Sequence, residues 1–137
     1  MIFNRFALEN DSGGEESAKD RVVALLDRTI SSVEASNISF VGDFAFAYLS
    51  ALTTASFPAC TTIETWAFSK CTNLISLYLT GSSVVSLAAS TVFSSTPIGG
   101  YSAEAETFGS VYVPSSLLTS YKAATNWSII SSRFVGI

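Results

Sequence analysis

Apolar residues recur with the spacing i, i+3, i+5, and three such groups follow one another at a constant offset of 22: Ile30, Val33, Ala35; then Leu52, Ala55, Phe57; then Leu74, Leu77, Leu79. A fixed period of this length limits the chain to architectures that lay one small unit against the next, because no single unit can bury its own apolar face. Other columns keep the offset. Val41, Ile63 and Val85 align, Ala45-Phe46 lies over Ala67-Phe68, Phe44 over Trp66, and Leu49 over Cys71. A fourth group, Phe108, Val111 and Val113, comes late, at an offset of 34 from the third where the period calls for 22. The surplus of 12 predicts an insertion near 94 to 109, where Pro97, Gly99 and Gly100 mark an irregular excursion.

The end of each group places two apolar residues around one polar or aromatic residue, as in Leu77-Tyr78-Leu79 and Val111-Tyr112-Val113. Alternation of this kind is the signature of a short strand with one buried face. Each unit therefore supplies one strand, and the part carrying Phe46 or Phe68 returns the chain along another wall. The expected fold is a single-domain α/β repeat solenoid over residues 1 to 137, with a small parallel sheet. Both ends read as lids. Residues 17 to 28, "SAKDRVVALLDR", predict a helix with Ser17 as its cap and Val22, Leu25 and Leu26 on one face, making 1 to 29 an N-terminal helical cap. Pro114 stands where a helix can begin, and Leu117, Leu118, Tyr121 and Ala124 form an apolar stripe leading to Trp127, so 114 to 137 reads as a helical cap after repeats at 30 to 113.

The segments "VGDFAFAYLSALTTASFP" and "IETWAFSKCTNLISLYLT" resemble the I-x-x-x-A-F-x-x-C-x-x-L-x-x-L-x-L-P unit of the BspA-like, or Treponema-type, leucine-rich repeats of bacterial surface proteins. The ending "TPIGGYSAEAETFGSVYVPSSLLTSYKAATNWS" is similar to the terminal cap of many such arrays, and the likeness runs from about residue 30 to 129. It implies a right-handed leucine-rich-repeat coil, a binding role, and a bacterial cell-surface or extracellular setting. The chain departs from the pattern in three places. Leu49 stands where the family often has Cys, Ala55 is small for its column, and "VVSLAASTVFSS" lacks an Ala-Phe pair unless Phe93 fills that place.

Catalytic templates find little support. The chain has no histidine, which removes His-dependent triads, Cys-His dyads and His metal sites together. Ser69-Lys70, and Ser120 with Lys122, lack the S-x-x-K spacing that sets both side chains on one helix face. Glu15-Glu16 and Glu104-Glu106 read as solvated carboxylates, and "ENDSGGEE" lacks the ligand spacing of a calcium loop. No glycine pattern for phosphate or dinucleotide occurs, and the three N-x-S sequons, at Asn10, Asn37 and Asn126, carry little weight in so serine-rich a chain. No cofactor or metal is expected, and no enzymatic activity. Cys60 and Cys71 read as free buried thiols, with a disulfide as the alternative.

Partners are bounded by charge and hydropathy. Only 13% of residues are charged and the net charge is -4, so nucleic acid has no basic surface to meet. The uncharged run between Lys70 and Glu104 is interrupted by Thr72, Asn73, Ser76, Thr80, Gly81 and Pro97, and membrane insertion is not expected. "MIFNRFALENDSGGEE" turns polar too early for a secretory signal. What remains is surface. Outward positions between the apolar groups are Ser31, Ser32 and Glu34; Thr53, Thr54 and Ser56; Ile75, Ser76 and Tyr78; Gly109, Ser110 and Tyr112. Thr53, Thr54, Ser56, Ile75, Ser76, Tyr78, Ser110 and Tyr112 are the candidate ligand-binding residues, for a protein or glycan met by a monomer or weak oligomer. Tyr contributes because it gives large contact area at low entropic cost. A subunit of a larger assembly or phage-like particle is the alternative reading, and an unrecognised hydrolase the third.

Overall fold

The computed structural model describes residues 29 to 137; the helix expected over 17 to 28 lies outside them. Among the described residues eight short strands follow one another: β1 (Ser32–Glu34), β2 (Phe40–Val41), β3 (Thr54–Ser56), β4 (Thr62–Ile63), β5 (Ser76–Tyr78), β6 (Ser86–Leu87), β7 (Ser110–Val113) and β8 (Phe134–Gly136). They form two sheets, ordered β1-β3-β5-β7-β8 and β2-β4-β6. Every pairing is parallel. Helix is scarce among the described residues: one short α-helix, α1 (Leu118–Ala123), and three 3-10 segments. The protein is thus a small α/β fold with parallel sheets and few helices.

The register reproduces the sequence offset. Val33 pairs with Ala55 and Ala55 with Leu77, one repeat period apart in each case, while Leu77 pairs with Val111 after the long step. All four side chains are buried, and the residues on either side of each face outward. Through β6 the chain alternates between the sheets, so the space between them becomes the core. Phe46, Phe68 and Phe93 stack through it with centroids 5.4 and 5.7 Å apart and rings within 9° and 8° of parallel. Phe93 therefore takes the third Phe place, on a 3-10 turn at Ser90–Phe93. The turns repeat their backbone too. Phe44 and Trp66 have φ of 58° and 62°, and Tyr48 and Lys70 have 68° and 65°, a left-handed conformation that costs a non-glycine residue about 1 kcal/mol or more.

Four expectations are corrected. Ile63 pairs with Leu87, not Val85, because Gly81-Ser82-Ser83 lengthens the turn and moves the strand two places on. Phe93 follows Phe68 at a longer interval than Phe68 follows Phe46, so the surplus chain is split, a smaller part falling before position 94 and the larger part after it. Phe108 is 46% exposed and does not enter the core. In the second and third units two successive N–H groups donate to one carbonyl, Thr53 and Thr54 to Ser31, then Ile75 and Ser76 to Thr53, which turns the leading apolar residue inward. At the fourth unit Gly109 donates instead to Pro97, 2.7 Å away, and the backbone diverts toward the insertion. Ile98 is fully buried there, and a Cβ on Gly109 would lie 2.9 Å from its side chain.

The fourth correction concerns the C-terminal cap, which is only partly helical. Its final segment, β8, adds a parallel strand beside β7 with Phe134 buried and paired to Val111. The predicted stripe does pack inward: Tyr121 and Trp127 are fully buried, while Leu117, Leu118 and Ala124 are partly buried against the core. These side chains also close the edge of the smaller sheet. Val85 donates its N–H to the Tyr121 hydroxyl at 3.0 Å, Trp127 Nε1 donates to the Val85 carbonyl at 2.8 Å, and Asn126 Nδ2 donates to the Leu87 carbonyl at 2.7 Å. An edge strand would otherwise leave those backbone groups unpaired.

Candidate functional site

The outer face of the five-stranded sheet carries two rows of side chains fixed by strand register. Ser32, Thr54, Ser76 and Ser110 form one; Glu34, Ser56, Tyr78, Tyr112 and Val135 form the other. Neighbouring members are one strand spacing apart, about 4.8 Å. The Tyr78 and Tyr112 rings stack with centroids 4.5 Å apart and planes within 12°. Beside them lies a shallow depression of about 350 Å³ lined by Ser32, Val33, Glu34, Thr54, Ser56 and Tyr78.

Of the candidate binding residues, Thr54, Ser56 and Tyr78 come together in this depression. Ser76, Ser110 and Tyr112 continue the same face beyond it. Thr53 and Ile75 stand one place ahead of their strands. The Thr53 hydroxyl donates to the Ser31 carbonyl at 3.0 Å and is committed to the backbone, while Ile75 is exposed. Ser32 and Glu34 were legible as outward positions but not singled out, although they complete the depression; their signal was the same period-2 parity that marked Ser56 and Tyr78.

Two further features lie outside these rows. Phe108, rejected from the core, is met edge-on by Tyr101 at 5.5 Å, and the Arg133 guanidinium carbon lies 3.9 Å from its ring centre. A second concavity of about 330 Å³, lined by Phe93, Thr96, Tyr101, Asn126 and Ile129 among others, has no charged side chain in its wall.

Chemically the wall offers hydroxyls, one carboxylate and aromatic rings. Among the described residues no group of three or more Cys, Asp or Glu is placed to hold a metal ion, and no helix is long and apolar enough to cross a membrane. Cys60 and Cys71 are free and buried. Burial pushes their thiols up to about 11 and about 12 respectively, so neither is a nucleophile near neutral pH. Burial also raises Tyr121 above its ordinary value.

The sign of the resulting pH dependence is fixed. Thiols held neutral in the fold ionise near 9.0 once unfolded, so their contribution is complete below about pH 9 and is lost as pH rises toward 11 and 12. Each thiol is expected to cost on the order of 2 kcal/mol of stability by pH 11. Urea midpoints at pH 8 and 11 measure this, with Cys71→Ala expected to flatten the decline; an unchanged midpoint across that range would sink the account.

Comparison with protein families, curated proteins and solved structures returns no match for this chain.

Proposed function

We propose that the chain is a short, capped leucine-rich-repeat solenoid of the BspA-like kind. It serves as a non-enzymatic recognition or adhesion module that binds a protein or glycan on the outer face of its five-stranded sheet. The strand register that repeats with the sequence period, the alternation between two walls and the phenylalanine ladder support the solenoid reading. The bacterial surface setting rests on the resemblance of the repeat unit alone.

The observation that carries the binding role is the Tyr78–Tyr112 stack standing beside the depression. Aromatic side chains held by a rigid sheet lose little freedom on meeting a ligand, which keeps the cost of association low. Hydroxyl rows on the same face supply donors and acceptors for orientation. Both rings project from the wall and not into the core, so removing them spares the fold.

The test is a protein and glycan binding array, repeated with Tyr78→Ala and Tyr112→Ala. Each variant is expected to keep its circular dichroism and to weaken the selected ligand about tenfold or more, the scale of an aromatic anchor. Binding that survives both changes would remove the wall from consideration.

A further inference from the structure

The depression has a specific geometry. The stacked rings are separated by about one strand spacing, so they stand upright with their faces looking along the sheet. Tyr112 covers one face of Tyr78. The other looks across Ser56 toward Glu34, since Glu34, Ser56 and Tyr78 are register neighbours on β1, β3 and β5. Ser56 is the small member of the row and leaves a gap one strand wide between an aromatic face and a carboxylate.

We infer that this gap takes the arginine or lysine side chain of a basic segment in a partner protein. The inference rests on the recognition reading above and names the chemistry of its ligand. A guanidinium or ammonium group seated over Ser56 lies about 5 Å from the Tyr78 ring, within the roughly 6 Å reach of a cation–π contact. It lies at a similar distance from the Glu34 position, near enough for an ion pair. Ser32, Thr54 and Ser56 present hydroxyl oxygens around it, and a cation is a donor to all of them.

Charge favours a cation over a neutral sugar. Glu34 is the one charged residue among the outward positions of β1, β3, β5 and β7, and the chain as a whole carries -4. A sugar would use the ring and the hydroxyls without needing the carboxylate opposite. The stacked Tyr112 also holds the Tyr78 ring upright, so the cation meets a fixed face instead of a mobile one.

The experiment is an NMR titration of the whole chain with a capped tripeptide carrying a central arginine, with the same peptide carrying citrulline, and with a neutral trisaccharide. Saturable shifts centred on Glu34, Ser56 and Tyr78 are expected for the arginine peptide, with the citrulline peptide about tenfold weaker. Glu34→Gln should erase that difference, and Tyr78→Leu, which keeps apolar bulk, should weaken arginine binding severalfold. Raising salt to about 0.5 M should weaken it too, because the site is open to solvent. Equal affinity for arginine and citrulline, or an unchanged response in Glu34→Gln, overturns the inference. Shifts at the same residues with the trisaccharide alone overturn it as well, yet leave the wall as a recognition surface, whereas loss of all binding to the wall removes both.

Discussion

Phe68→Ala is expected to destabilise the protein by about 3 to 5 kcal/mol, the cost of deleting a large aromatic side chain from a packed interior. Phe68 is fully buried and has neighbours on every side: Phe46 at 5.4 Å, Phe93 at 5.7 Å and Phe57 at 6.1 Å. Each neighbouring ring comes from a different segment of chain, Phe46 from a turn, Phe57 from the residue after β3 and Phe93 from a 3-10 turn, so none can move into the gap without displacing its own backbone. Domains are typically stable by only about 5 to 15 kcal/mol, so one substitution removes a large share. In urea the midpoint should fall by about 2 to 3 M. Phe68→Leu, nearer in volume, should cost about half as much or less. Phe44→Ala is the contrast. Phe44 stacks on Trp66 at 6.2 Å but is 45% exposed, and its loss should stay within about 1 kcal/mol. A Phe68→Ala midpoint no lower than that of Phe44→Ala would mean the ladder is not the core.

The difference between these two aromatics explains which parts of the fold could be read in advance. Both sit in columns that repeat at 22, Phe46 with Phe68 and Phe44 with Trp66, so repetition marks a shared conformation, while the left-handed turn backbone at Phe44 and Trp66 leaves those two rings exposed. The same logic placed Val33, Ala55, Leu77 and Val111 in one buried register and made Ser56 and Tyr78 outward neighbours. Phe108 had the right residue type at the right spacing but the wrong backbone. Its exclusion depends on where the Gly109 N–H goes, which is decided by Pro97, and on Ile98 filling the space. Strand β8 was hidden for a related reason. "RFVGI" pairs with β7 at an offset of 23, Phe134 to Val111, whereas the repeat offset of 22 would set Phe134 beside Tyr112 and turn it to the outer face. Val85 shows the limit of pattern at the other wall, since a longer turn shifts the register by two while the residue stays buried. The site divides the same way. Parity identifies the face, but the upright Tyr78 ring and the gap over Ser56 depend on side-chain packing that no spacing encodes.

The cap supplies the second large effect and a sharper one. Trp127→Ala is expected to cost about 4 kcal/mol or more, because it removes a fully buried indole that touches Phe93, Tyr121 and Phe134 and also abandons the Val85 carbonyl. Trp127→Phe separates the two parts. It keeps an aromatic ring in the site and deletes the Nε1 donor, so its cost should be about 1 to 3 kcal/mol. Tyr121→Phe tests the other half of the same clamp, since only the hydroxyl that accepts the Val85 N–H is lost. The two single changes share one backbone unit, and their double mutant should depart from additivity by about 0.5 kcal/mol or more. Hydrogen exchange gives the local readout: in Tyr121→Phe the Val85 amide should lose protection while amides of β3 and β5 keep theirs. If Val85 stays protected, the edge of β6 is closed by something other than these side chains. A cooperative loss across all strands would instead show that the cap is what allows the turns beneath it to fold, since a stack of units that cannot bury their own faces needs a closed end.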